Sequence, residues 1–190
     1  PKRLVPGEDG VARTARYKLR WGHDMRQGAV TAWLEFCRTA PELLSEYGKE
    51  RRDFRNGRDR ALDSLKPIPV ATPDAVWADK VVAVGARHEV KLRDAFDLWQ
   101  VARLRRGEGQ DPEVASGALE TTCRVYGLEA EAVAEAVERR LGEGAFSDVG
   151  AFARDMGRWV PDWDVDSDQD IFGKVLETAR EECARGAELL

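Results

Sequence analysis

At Thr72 the hydrophobic period of the chain changes, and this restricts the possible folds more than any other feature. Upstream, from Arg13 to Trp21, polar Thr14, Arg16, Lys18 and Arg20 alternate with Ala15, Tyr17, Leu19 and Trp21. Period two over this length predicts a strand with one wet face. Ala29 to Cys37 alternates again, with Val30, Ala32, Leu34 and Phe36 set against Thr31, Trp33, Glu35 and Cys37. The segment between them is bounded by Gly22 and Gly28, so the two runs predict a β-hairpin. A lone hairpin is marginal in water and must belong to a larger sheet. Ser64 to Ala71 is a further extended candidate, but Pro67 and Pro69 confine it to an edge or a connector.

Downstream the signals are helical. Thr72-Pro73-Asp74 offers a hydroxyl cap, a proline at the first helical position and an acid in the positive first turn. That helix is expected to reach about His88, and a second to run from Lys91 to about Arg106. Asp111-Pro112-Glu113 repeats the start signal, and Gly127 has the place of a left-handed terminator. Leu128 to Leu141 follows, then a helix capped by Ser147 and running to about Trp159. Ser167 opens the last, with Ile171, Val175, Leu176 and Ala179 as its apolar stripe. Short loops between such helices favour antiparallel packing. The expected class is α+β: a sheet region over residues 1–72 with a basic loop, then an antiparallel helical bundle over residues 73–190.

A chain of 190 residues is one domain or two small ones, and buries about 70% of its unfolded surface. The three cysteines, Cys37, Cys123 and Cys183, are scattered and form no Cys-x-x-Cys or Cys/His cluster. A disulfide scaffold and a zinc site are therefore not expected, and a reducing cytoplasm is. No apolar run approaches a membrane-spanning length. The opening at Pro1 without Met suggests a trimmed chain or a piece of a longer one. Residues 1–66 carry 15 Lys/Arg against 10 Asp/Glu, whereas residues 111–190 carry 8 against 19. An anionic partner would meet the basic front. His23 and His88, the only histidines, have no nucleophile near them in sequence.

Two positions break the helical pattern. Lys80 has Val76, Trp77, Ala83 and Val84 three and four positions either side, all apolar. Such a lysine either snorkels outward or is held inward for a purpose. In the next helix Asp94 and Asp97 share a face, an arrangement that costs stability unless a cation sits between them. Arg93, four before Asp97, is one source of that charge. Leu92, Phe96 and Trp99 mark the expected buried side. This is either a structural ion-pair network or part of a site.

Lys80-Val81-Val82-Ala83-Val84-Gly85-Ala86-Arg87, a short connection, then Arg93-Asp94-Ala95-Phe96-Asp97-Leu98-Trp99 resembles the last motif of the AbiEii/AbiGii-type nucleotidyltransferase toxins. The hairpin ending in Trp33-Leu34-Glu35-Phe36 and the extended lead-in from Pro67 to Asp74 are similar to that family as well. The resemblance implies a polymerase-β-like core and a toxin of a type IV toxin–antitoxin or phage-defence system. It implies transfer of a nucleotide from an NTP to an RNA acceptor, tRNA in some members, with Mg²⁺ as cofactor and a cognate antitoxin encoded nearby. Under it Lys80 and Asp94 are catalytic, Lys80 and Arg87 bind the nucleotide, and Glu35 is a metal ligand. Arg93 and Asp97 hold Lys80 and Asp94 in place.

The family's first motif, a Gly-Ser turn followed by carboxylates spaced Asp-x-Asp, is not in residues 1–66. Asp162, Asp164, Asp166, Asp168 and Asp170 carry such spacing late in the chain, where a solvated acidic loop is expected. Measured from Asp166, Glu177 falls at the twelfth position of a calcium loop, but Ile171 occupies the sixth, where glycine is needed. A chain without the first motif is expected to be inactive alone. The alternative is a non-catalytic helical module that binds protein or RNA, or a degenerate member of the family.

Overall fold

The computed structural model describes residues 3–6, 12–21, 30–37, 45–52, 68–109, 111–157 and 169–190. The chain divides into two compact units, Pro1–Ser45 and Glu46–Leu190. The class is α+β, as the change of period at Thr72 predicts.

The first unit is a three-stranded antiparallel sheet: β1 (Arg3–Pro6), β2 (Ala12–Trp21) and β3 (Val30–Cys37), in that spatial order. The predicted hairpin is β2–β3, paired from Thr14 opposite Cys37 to Trp21 opposite Val30. Strand β1 supplies the further pairing that a bare hairpin needs.

In the second unit β4 (Lys49–Arg52) pairs antiparallel with β5 (Ile68–Ala71). Strand β4 is Lys-Glu-Arg-Arg, with no apolar alternation to betray it in the sequence. The pair leads straight into helix α1 (Pro73–Ala86), so residues 46–72 lie in the same compact unit as the helices. The Thr72 amide donates to the Gly48 carbonyl at 3.0 Å, and the Thr72 hydroxyl caps the helix by accepting from the Ala75 amide at 3.3 Å. A Cβ on Gly48 would lie 2.6 Å from that hydroxyl oxygen, so only glycine fits there.

Five helices follow α1: α2 (Leu92–Glu108), α3 (Pro112–Tyr126), α4 (Ala130–Gly142), α5 (Val149–Met156) and α6 (Gln169–Leu189). Helix α1 is apolar nearly all round, the pattern of a helix enclosed by others. It packs against α2, α3, α4 and α6, and Trp77, Ala78, Val81, Val82 and Val84 are all but fully buried. Two close approaches set its position. A Cβ on Gly85 would sit 2.9 Å from the Val133 carbonyl of α4, and one on Gly186 of α6 would meet Val81 at 2.5 Å.

Several helix ends differ from the sequence expectation. Helix α1 stops at Ala86 rather than near His88, and Leu128 lies in the connection before α4. Gly127 is left-handed as expected, with φ 67°. It closes α3 with the paired bonds of a Schellman turn, Leu128 N–H to Cys123 and Gly127 N–H to Arg124. Helix α5 is capped by Asp148, which accepts from the Ala151 amide at 2.8 Å. Ser147 instead donates its hydroxyl to the Gly144 carbonyl. On α6 the buried stripe includes Phe172, whereas Ile171 is exposed. The acidic stretch Asp162–Asp168 lies outside the described residues.

Candidate functional site

Helices α1 and α2 are joined by only a few residues, so they run back past each other and bring their polar exceptions together. Lys80, on α1, places its Nζ 3.0 Å from Asp94 Oδ1 and 2.6 Å from Asp97 Oδ2. Arg87, just past the end of α1, donates from Nη1 to the other oxygen of Asp94. Two cations thus face two carboxylates, and the cluster is neutral. Asp94 is 1% exposed, a burial that a carboxylate tolerates only when paired and hydrogen-bonded. It also lies in the first turn of α2, where the helix dipole favours negative charge.

Burial alone would lower the pKa of Lys80. The hydrogen bonds and charges of Asp97 and Asp94 outweigh it, and the pKa is raised from its ordinary value. Lys80 is therefore a fixed cation. Of the two sequence readings, outward snorkelling and inward engagement, the geometry is the second.

A cation between Asp94 and Asp97 is Lys80, which reaches both from α1. The spacing argument had the requirement, and Lys80 meets it from the neighbouring helix. Leu92, Phe96 and Trp99 are only partly buried. The inward face of α2 is Ala95, Leu98, Val101 and Ala102, together with Asp94 itself. Glu35 stands on β3 opposite Arg16 in the ladder, and its side chain lies outside the described residues.

The loop that carries Arg87 is held from a third helix. Arg140 of α4 donates to the carbonyl of Arg87, and to that of His88 at 3.4 Å. A second buried network escaped the sequence reading altogether. Arg105 of α2 donates from Nε to Asp74 at 2.7 Å and from Nη1 to Glu182 at 3.2 Å. Its guanidinium lies 4.0 Å from the Trp77 ring centroid. These partners are 31 and 77 residues away in sequence, so no local spacing could have revealed them. The network ties the start of α1 to α2 and α6.

A divalent cation does not fit the Lys80 cluster. Asp94 gives one oxygen to Lys80 and the other to Arg87, and Asp97 faces Lys80, so the cluster does not offer the set of free oxygens that Mg²⁺ takes. Among the described residues no group of three or more His, Cys, Asp or Glu is placed to hold a metal. Among them, too, no helix is long and apolar enough to cross a membrane.

A family model described as nucleotidyl transferase AbiEii toxin, type IV TA system, matches residues 44–170, more than half of the chain and the whole of the Lys80–Asp97 cluster. No curated protein and no solved structure matches.

Proposed function

The chain belongs to the AbiEii nucleotidyltransferase toxin family of type IV toxin–antitoxin systems, and on that premise we propose that Lys80, Arg87, Asp94 and Asp97 form the helical side of its nucleotide site. The observation that supports this is the convergence of Lys80, Asp94 and Asp97 within 3.0 Å of one ammonium, in the matched segment. Lys80 keeps its charge through neutral pH and retains 20% side-chain exposure. A triphosphate reaches it by displacing Asp97, the more exposed of its two partners. Asp94, buried and tied to both cations, holds Lys80 and Arg87 in register and acts as an orienting acid rather than a proton acceptor.

The reaction we assign to the complete enzyme is transfer of a nucleotide from an NTP to RNA, with tRNA as the proposed acceptor. A ribose hydroxyl oxygen bonds to the α-phosphorus, the bond to pyrophosphate breaks, and the hydroxyl proton passes to solvent. The cations of this chain offset charge on the departing phosphates. Nucleotidyltransferases generally use a divalent metal, and Mg²⁺ is the proposed one. Its ligands are not Asp94 and Asp97, and the role of Glu35 stays part of the proposal. Residues 1–66 have no Gly-Ser turn with Asp-x-Asp, so the chain by itself is proposed to bind nucleotide without transferring it. A cognate antitoxin is the proposed protein partner, and cytoplasm the proposed location.

A second reading, a non-catalytic helical module, draws on one observation: the cluster is neutral and satisfies itself without a ligand. Calorimetric titration of NTPs into the 190-residue chain separates the two. The site reading expects binding in the wild type and at least tenfold weaker binding in Lys80→Met, with the helical circular dichroism kept. Equal affinity in the two proteins hands the cluster to the structural reading.

A further inference from the structure

We propose that Arg140 of α4 is a positioning residue of the nucleotide site: through the backbone of Arg87 it sets where the Arg87 guanidinium stands. This rests on the nucleotide-site reading above and extends the site to a third helix. Helix α1 ends at Ala86, and Arg87 caps it with extended backbone, φ −77° and ψ 152°. The chain thus leaves the helix at the residue whose side chain reaches back to Asp94. The carbonyls at a helix end have no N–H one turn further on to hold them, and the last turn of α1 carries no basic residue. The donor comes from α4. Nη2 of Arg140 takes the Arg87 carbonyl and, at 3.4 Å, that of His88, at the end of α1 where the helix dipole favours a cation.

Helix α4 is itself fixed against α1. Val133, Val137 and Arg140 are spaced four and three apart and share a face. Val133 and Val137 are buried. A Cβ on Gly85 would meet the Val133 carbonyl at 2.9 Å and Val137 Cγ2 at 3.2 Å. Helices this close cannot slide past each other, so Arg140 arrives in a set register two residues after Gly85. Stability alone does not account for an arginine there. Its Nε is buried with no hydrogen-bond partner among the described residues, and that cost offsets what the carbonyl bonds contribute. Position does account for it: Arg140 holds the backbone of Arg87, Arg87 holds Asp94, and Asp94 holds Lys80. The Arg87 side chain is 41% exposed, so its guanidinium can meet a phosphate while it keeps Asp94. Without Arg140 the connection is free to take other backbone angles, and a phosphate must order Arg87 when it binds.

A double-mutant cycle read by calorimetric titration of ATP into the 190-residue chain tests this. Arg140→Met is expected to weaken ATP about tenfold, with helical circular dichroism and melting temperature kept. In the Arg87→Met background the same change should stay within about twofold of Arg87→Met alone, because the residue that Arg140 positions is gone. Arg140→Lys keeps the charge and one donor without the planar fork, and should lose about threefold, again only while Arg87 is present. It takes the place of Arg140→Met in the cycle if the latter does not fold. Unchanged affinity in Arg140→Met, or an equal loss with and without Arg87, overturns the proposal. So does a loss of affinity that follows a loss of helical structure in both Arg140 variants, which makes the residue structural. The nucleotide-site reading fails separately, by ATP affinity that ignores Lys80→Met. Absence of ATP binding by the wild type overturns both.

Discussion

Asp94 carries more of the local energetics than its neighbours, because it is the one carboxylate of the cluster with almost no access to water. Replacing it with alanine removes the carboxylate that Lys80 and Arg87 share, and losing hydrogen bonds to a charged group costs about 1.5–3 kcal/mol. Lys80→Ala is expected to cost less, since Arg87 still covers Asp94 and Asp97 is 42% exposed. It is nonetheless not silent, as an exposed helical lysine would be. Trp77, fully buried, should lose about 3–5 kcal/mol on truncation to alanine, and the half-buried Trp99 clearly less. Urea unfolding of the four variants checks this ranking; an Asp94→Ala protein as stable as Lys80→Ala would contradict it. The sequence alone made Lys80 conspicuous, because it breaks an apolar face, and made Asp94 and Asp97 conspicuous, because adjacent acids need a cation. It could not say that these two irregularities answer each other. Arg105 and Glu182 gave no signal at all, since their meeting depends on how α2 and α6 pack.

Between elements, the junction of β4–β5 with α1 makes a pH prediction. Tyr47 donates its hydroxyl to the Ala75 carbonyl at 3.4 Å, and its pKa is raised to about 12, first by burial and then by the charge of Asp79. A raised pKa means that the folded protein holds this proton more tightly than the unfolded chain does. The stability so gained is complete below the unfolded value, near 10.0, and is lost as pH climbs toward 12. Tyrosinate absorbance should show a component titrating near pH 12 in the wild type and not in Tyr47→Phe. A titration complete well below that pH would remove Tyr47 from the junction. The helices around this junction were legible where caps are chemical: Thr72, Asp111 and Gly127 mark their ends by side-chain hydroxyl, carboxylate and missing Cβ. Strand β4 was not, because four charged and polar residues paired through backbone alone leave no hydrophobic period. On α6 Val175, Leu176 and Ala179 are buried as the stripe expected, but Ile171 is exposed and Phe172, in line with Leu176, Ala179 and Cys183 at helical spacing, takes the interior.

At the scale of the molecule, the hydrophobic core among the described residues lies in one unit. The core members described, from Trp77 on α1 to Ala187 on α6, lie within Glu46–Leu190, and the ion-pair networks around Lys80 and Arg105 lie there too. A unit with its own core and its own paired buried charges has what independent folding requires. Residues 46–190 expressed alone should therefore unfold in one cooperative thermal transition. Burial of Trp77 against Arg105 should survive in the near-ultraviolet circular dichroism. One kcal/mol corresponds to about 2–4 °C in a domain of this size, so a midpoint within a few degrees of the helical unit's transition in the whole chain is the expected result. Loss of the transition would mean that the three-stranded sheet completes the core. Nucleotide affinity then reports on function at the same scale. If the Lys80 cluster supplies the contacts proposed above, the fragment binds NTP as the whole chain does. If affinity falls while the fold stands, the first unit contributes to the site, and the residues to vary next are Glu35 and the basic positions of β2.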